Sequence, residues 1–392
     1  MSHLLRSFFV FSLLLGAVAP FVQAEVTVEE VKQAVLKELD ARPRTAADSS
    51  VFNPAMGIVL DAVVRDTKED KGNFEFRNVE FNFQSTVDPF GKLYVIVNGG
   101  DEELEVEEAA VVTTKLPAHL TARFGRFFAN FGRLPKFHDH ELPFVERLAS
   151  LDSFIGGESK SDGVELTHLF ATPFFMQGTV GASNKIGADN TRLAETGGDG
   201  DTDGRKWNAM TYNARLFTFV PLGDNHGVDV GVSEALTPRQ NYIGGVANDN
   251  HNNRRFLTGV DVTYRYEPVN KNLFRKLTWA FEGFHNNERR RQELAGTFDR
   301  RSAVGGYSYI EARVARLFSG GGFYDYAESL DGRDNITRGG GGFINYLPSE
   351  YQKVRLQYSQ INSNLPGTER NHQVFLQWSA IIGKHAHTFR DR

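Results

Sequence analysis

The chain of 392 residues carries 44 Lys and Arg against 49 Asp and Glu, a net charge of −5, and no cysteine. That mildly acidic balance gives no sign of a nucleic-acid partner, and the missing thiols exclude a disulfide scaffold, a thiolate metal site and a cysteine nucleophile. With 32 Phe, 38 Gly and only 4 Met, and no run of about 20 apolar residues after the first 24, strands are left as the way to cross a membrane, and only a closed barrel satisfies every backbone group there.

Residues 1–24, MSHLLRSFFVFSLLLGAVAPFVQA, have a short basic start, an apolar stretch too short to span a bilayer, and small residues before Glu25. They read as a cleaved secretory signal, whose removal takes away Arg6 and no acid and moves the net charge from −5 to −6. Residues 25–51 read as an amphipathic helix and linker: Thr27 and Glu30 form a capping box, and Val28, Val31, Val35 and Leu39 recur at helical spacing up to Arg42-Pro43. A surface helix and a short coiled coil joining barrels both fit it.

From residue 52 to the end the hydrophobic period becomes two, and the polar partner in each alternation is what a water-filled lumen requires. Met56, Ile58, Leu60 and Ala62 oppose Asp61; Val79, Phe81 and Phe83 oppose Glu80, Asn82 and Gln84; Met210, Tyr212, Ala214 and Leu216 oppose Thr211, Asn213 and Arg215. Further on, Val260, Val262, Tyr264 and Tyr266 oppose Asp261, Thr263 and Arg265, and Val354, Leu356 and Tyr358 oppose Lys353, Arg355 and Gln357. Val374, Leu376, Trp378, Ala380 and Ile382 close the series. Sixteen segments of strand length follow: 55–66, 73–86, 91–99, 103–115, 121–132, 162–171, 174–184, 208–219, 226–236, 255–267, 276–286, 305–317, 320–329, 339–348, 351–362 and 372–383. The fold class is therefore all-β, a transmembrane antiparallel barrel of about 16 strands, as expected of a bacterial outer membrane.

Connections support this reading. VDPFGK, KLPAHL, ATPF, PLGDNHG, SGG and PSE are tight turns, whereas 133–161, 185–207, 237–254 and 287–304 are long and polar. Short periplasmic turns and long external loops are the habit of outer-membrane barrels. Alternation breaks at Arg77-Asn78, which predicts a bulge, and is unclean over 103–132 and 305–330. The glycine runs at 319–322 and 339–342 precede no strand-to-helix unit that would cradle a phosphate, and read as a tight turn and a strand start.

The stretch FGRFFANFGRLPKFHDHELPFVERL, residues 124–148, together with FEFRNVEFNFQSTVDPFGKLYVIV at 74–97 and EVEEAAVVTTKLPAHLTARFGRFFANFGRL at 105–134, resembles the phosphate-selective porin family, the O and P porins. The resemblance implies sixteen-stranded barrels, usually trimers, that pass small solutes without energy input, and a third external loop folded into the lumen. On that reading Arg126, Arg133, Lys136, His138, Asp139, His140, Glu141, Glu146 and Arg147 lie near a constriction. Arg215, Arg265, Lys353 and Arg355 face the lumen by alternation, mixed with Asp61, Glu80, Asp261 and Glu282. Two departures from the family stand out: the lumen lacks a purely basic ladder, and Arg390-Asp391-Arg392 follow the last aromatic, Phe389.

The function expected is a porin: a passive diffusion channel for small hydrophilic solutes, anions such as phosphate among them, with no cofactor and no enzymatic activity. Its expected partners are outer-membrane lipid, lipopolysaccharide and two further copies in a homotrimer. Alternatives are weighed against it. Imidazole and carboxylate suit zinc, so His138, Asp139, His140 and Glu141 allow a metal, but a polar loop whose charges line water is the plainer account and the one preferred. The Asp and Gly of GGDGDTDG at 197–204 lack the twelfth-position Glu of a calcium loop. A barrel hydrolase would need a serine or aspartate beside His168, His285 or His385 at the membrane rim; a surface-binding protein would use NDNHNN at 248–253 and NNERRRQ at 286–292.

Overall fold

In the computed structural model, residues 54–383 are described, apart from 69–70, 101–102, 188–206, 208–209, 239–253, 270–274, 292–297, 331–334 and 365–370. The signal, the N-terminal helix, the GGDGDTDG and NDNHNN segments, His385 and Phe389 lie outside the described residues. Sixteen strands run in chain order: β1 Ala55–Asp66, β2 Asn73–Asp88, β3 Gly91–Gly100, β4 Glu103–Thr113, β5 Leu120–Phe128, β6 Lys160–Leu169, β7 Phe175–Ser183 and β8 Thr211–Pro221. The second half is β9 His226–Thr237, β10 Arg255–Tyr266, β11 Lys276–Arg291, β12 Phe298–Ala315, β13 Phe318–Glu328, β14 Ile336–Tyr346, β15 Gln352–Ser363 and β16 Asn371–Gly383. Each pairs antiparallel with its neighbours in sequence, and β1 pairs with β16, from Gly57 opposite Gly383 to Asp66 opposite Val374. The barrel is closed and has no edge.

Polarity is inverted relative to a water-soluble protein. Met56, Leu216, Val232, Val260, Ile344, Leu356, Trp378 and Ile382 are exposed on the outside, while Asp61, Glu80, Arg215, Asp229, Asp261, Glu282, Lys353, Arg355 and Gln377 are buried inside. Lipid accepts the first set, and only the interior offers partners to the second. At the short-turn end, the exposed Phe318 and Tyr346 pack at a tilt with ring centroids 5.2 Å apart, where aromatic rings suit a membrane interface.

Two bulges aim side chains. Between β1 and β2 the register skips Arg77, as the broken alternation predicts, and sends its guanidinium inward to Asp61, 3.3 Å away. Between β3 and β4 the register skips Glu107, so the consecutive carboxylates Glu107 and Glu108 are both buried. An extra residue in one strand shifts the phase of alternation by one, which is why two adjacent side chains share a face here.

Three boundary expectations are corrected. Residues 287–304 do not form a long loop: β11 and β12 continue as a ladder to Arg291 opposite Phe298. Strand β5 stops at Phe128, because the chain leaves the wall at Ala129 to enter the lumen. The glycine runs mark no turn. Gly322 pairs with Gly342 inside β13 and β14, and the rings of Phe343 and Phe323 lie over Gly321 and Gly341, 2.8 Å and 2.9 Å from where a Cβ would sit.

Candidate functional site

The segment between β5 and β6 folds inward. Gly132 makes the turn with φ +64°, and a Cβ there would sit 2.0 Å from Glu282 Oε1, so the position requires glycine both for its backbone and for the close approach. Glu282, on the wall strand β11, accepts the backbone N–H of Arg133 at 2.8 Å and of Leu134 at 3.2 Å, and the hydroxyl of Tyr307. A buried carboxylate thereby satisfies two amides of a loop that has no ladder of its own. Short 3₁₀ turns at Leu134–Lys136 and Asp139–Glu141 follow, then a one-and-a-half-turn helix, α1, at Ala149–Phe154.

What holds this insertion is a core of its own. Phe131, Leu134, Leu142, Phe144, Leu151, Phe154 and Ile155 are fully buried against Leu257, Ala280, Phe284, Tyr307, Tyr309 and Ala327 of β10–β13. Phe144 meets Tyr307 and Tyr309 edge-on at 6.3 and 6.1 Å, and Phe323 at 5.2 Å. Phe323 stands over Gly341, so the glycines of β13 and β14 make room for the ring layer on which the loop rests. Polar contacts complete the docking on strand β15: Lys353 Nζ donates to the His140 carbonyl at 2.8 Å, Arg355 to that of Leu142 at 3.0 Å, and Gln357 Oε1 accepts the Val145 N–H at 2.8 Å.

The expected constriction residues divide by what they touch. Arg133 reaches Tyr309 Oη at 3.1 Å, and Lys136 donates to Asn130 Oδ1 at 3.0 Å. Burial pulls the Lys136 ammonium down to about 7, and the Arg215 guanidinium adds to the effect. Arg147 binds Asp139 at 2.7 Å and Glu158 at 2.7 Å and caps the Phe137 carbonyl. Burial alone would raise the Asp139 carboxyl, but Arg147 and Arg77 overcome it and hold it below the usual range. Glu146 pairs with Arg65 at 3.0 Å, and Glu141 turns back to the His138 N–H at 3.2 Å. Arg215 grips Asp261 with two bonds at 2.6 and 3.0 Å, and Arg265 pairs with Asp229. Arg126 is a correction: it stands opposite Asp162, which it binds at 2.7 Å, on the face that continues through Val164 and Leu166, outside the lumen. Phe124, exposed and opposite Val164, shares that face, so the plain alternation of β5 already turns Arg126 outward.

His138 is enclosed by acids that sequence reasoning left out of the site. Its Nδ1 lies 3.2 Å from Glu107 and 3.5 Å from Glu80, its Nε2 3.3 Å from Glu108, and His140 Nδ1 is 3.3 Å from Glu80. Burial disfavours the imidazolium, but the Glu107 and Glu108 carboxylates outweigh it and hold the His138 pKa well above its ordinary value. The signal in the sequence was EVEE itself, two adjacent acids where alternation breaks.

Between the loop and β3–β7 a cavity of about 550 Å³ remains, lined by Tyr94, Glu108, Arg123, Asn130, Lys136 and Glu165 among others. On the other side, toward Arg313, Lys353 and Arg355, only about 50 Å³ is left. The free space is thus eccentric, along the arc that the loop does not cover. Its charges are paired across the wall: Arg123 binds Glu165 at 2.6 Å, and Glu165 also accepts the Asn130 N–H at 2.7 Å. Of the histidines considered for hydrolysis, the two that are described face elsewhere. His168 packs on Phe170, and His285 sits 2.9 Å from Ser302 on the exposed outer face, with no carboxylate paired to it among the described residues.

No protein-family model matches the chain. An uncharacterized protein of Aquifex aeolicus (strain VF5) is 30% identical over 107 residues, which are 27% of this chain and 23% of that protein; the chain spans under a quarter of that relative's length. Among solved structures, the anion-selective porin from Comamonas acidovorans superposes with a TM-score of 0.55 at 9% identity, covering 84% of this chain and 99% of that one. The outer membrane channel DcaP of Acinetobacter baumannii gives 0.53 at 10% identity over 84% and 95% of the two chains. In-vitro folded OmpT, an outer membrane protein of Vibrio cholerae in its trimer form, gives 0.52 at 10% over 84% and 99%. At such identities the likeness is one of fold: a sixteen-stranded porin-like barrel, multi-pass in a bacterial outer membrane.

Proposed function

We propose that this outer-membrane barrel is a porin through which small hydrophilic solutes diffuse passively, along the arc between the inserted loop and β3–β7. The observation that carries the reading is the eccentric cavity of about 550 Å³ beside an otherwise docked loop. A barrel whose interior is polar, and whose constriction is built from a separately cored loop, sets solute size by that loop and charge preference by the groups on both sides of the gap. A solute there meets Arg123 and Lys136 together with Glu108 and Glu165. Because the deeper arginines are neutralised by Asp261 and Asp229, the preference is weak, and phosphate is one of several permeant anions rather than a selected one.

The resemblance to phosphate-selective porins supports the channel class, and the trimeric form of the Vibrio cholerae neighbour supports a homotrimer for this chain. On the same reading residues 1–24 are the export signal and 25–51 a helix ahead of the barrel. Single-channel conductance in a planar bilayer, with the reversal potential read across a KCl gradient and again with phosphate, tests the proposal. Stable pores with a small reversal potential and no block by phosphate are expected. Purified, folded protein that forms no conducting pores would overturn it.

A further inference from the structure

The His138 cluster has the shape of a cation site assembled across the junction between the loop and the wall. Ligand-type atoms of Glu80 from β2, Glu107 from β4 and His138 from the loop all lie within 4.8 Å of one another, and all three residues are buried. The individual separations are 3.2 Å for His138 Nδ1 to Glu107 and 3.5 Å for His138 Nδ1 to Glu80, with His140 Nδ1 3.3 Å from the same Glu80 oxygen. With zinc bonds of 2.0–2.1 Å to nitrogen and similar lengths to oxygen, ligand atoms of a tetrahedral site stand about 3.3 Å apart. The match is in spacing, and two of the atoms concerned are left unpartnered. Although His138 Nδ1 and Glu107 Oε2 are only 3.2 Å apart, neither atom makes a hydrogen bond.

The surroundings fit a metal as well. His138 turns its other nitrogen to Glu108 Oε1 at 3.3 Å, the carboxylate–imidazole pairing that fixes the tautomer and orientation of metal-bound histidines. Glu108 is itself held by the Phe128 N–H at 3.1 Å and the Tyr94 hydroxyl at 3.1 Å. Glu80 has its second oxygen occupied by Asn82 at 2.7 Å, which directs Oε2 to the histidines. Three buried carboxylates converge here, and among the described residues no Lys or Arg pairs with Glu107. Charge of that kind is costly to bury unless a cation compensates it.

We infer that Glu80, Glu107 and His138 bind one divalent first-row metal ion, Zn²⁺ being the ion whose geometry fits, and that the ion clamps the constriction loop to β2 and β4. Asp139 and Glu141, the other candidates in the HDHE run, take no part, since Arg147 and the His138 backbone hold them. The site does not depend on what the barrel conducts, because its readout is binding.

Full-length protein folded in detergent, stripped with chelator and titrated with ZnCl₂ by calorimetry, tests the inference. Metal content is measured after gel filtration, and X-ray absorption reports the ligands. One ion per chain is expected, with imidazole nitrogen and carboxylate oxygen in its coordination shell. Glu107→Gln, which keeps the shape of the side chain, and His138→Ala lower the affinity at least tenfold, while His285→Ala on the outer face leaves it unchanged. Stoichiometric binding absent from the unaltered protein overturns the proposal with no variant needed. Binding that survives in folded Glu107→Gln and His138→Ala, or a shell without imidazole, overturns it too, and leaves the cluster as an imidazolium paired with acids.

Discussion

Replacing Phe144 by Ala tests whether the inserted loop is held by its own core rather than by the barrel. Phe144 is fully buried and touches Tyr307, Tyr309 and Phe323 at ring separations of 5.2–6.3 Å. Truncating a buried Phe costs about 3–5 kcal/mol in lost transfer energy and cavity, and at about 1.4 kcal/mol per decade the undocked population of the loop rises roughly 10² to 10⁴-fold. The strand ladder is untouched, since none of its hydrogen bonds involves a side chain from residue 144, so the cost falls on docking. Single-channel recording on the folded variant should show either a larger conductance or frequent steps to a larger one, as the lumen opens on the side that now holds only about 50 Å³. Electrophoretic mobility of the unheated, folded barrel should remain that of the parent. A variant that folds and conducts with the parent's amplitude and noise would refute the idea that this core positions the constriction.

Charge preference gives a second test. Arg123→Gln leaves Glu165 with the Asn130 N–H and Asn213 as partners but removes a positive group from the cavity wall. A unit charge about 6 Å from an ion in a water-like dielectric is worth about 0.7 kcal/mol, with opposite sign for potassium and chloride, so the potassium-to-chloride permeability ratio should rise roughly tenfold, and an unchanged reversal potential would place the ion path elsewhere. Arg215→Ala strands Asp261 with 1% exposure; breaking a buried pair from one side costs roughly 3–5 kcal/mol, seen as a lower temperature at which the folded band converts on electrophoresis, whereas an unshifted temperature would mean that water already solvates the pair. Gly341→Ala puts a methyl group 2.3 Å from the Tyr358 carbonyl and 2.9 Å from the Phe323 ring. It should lower the same transition, and a neutral result would show that Phe323 does not need the room.

The sequence by itself determined the architecture. A strand exposes alternate residues to two different solvents, so runs such as VEFNFQ and KVRLQYSQ record the lipid and lumen faces residue by residue, and sixteen such runs with tight turns every second connection leave little but a closed barrel. Even the bulge at Arg77 was legible, because a skipped residue breaks the period in place. The tertiary structure decided what period two does not encode. Residues 129–159 carry no alternation, and their apolar side chains found a core only because β10–β13 curve to present Leu257, Phe284, Tyr307 and Tyr309 to them. Phase was likewise a matter of three dimensions: the extra residue at Glu107 shifts it, turning Glu108 inward. The convergence of Glu80, Glu107 and His138 from three separate elements depends on barrel closure and loop insertion together, and side chains some 30 to 60 positions apart carry no local signal that they will meet.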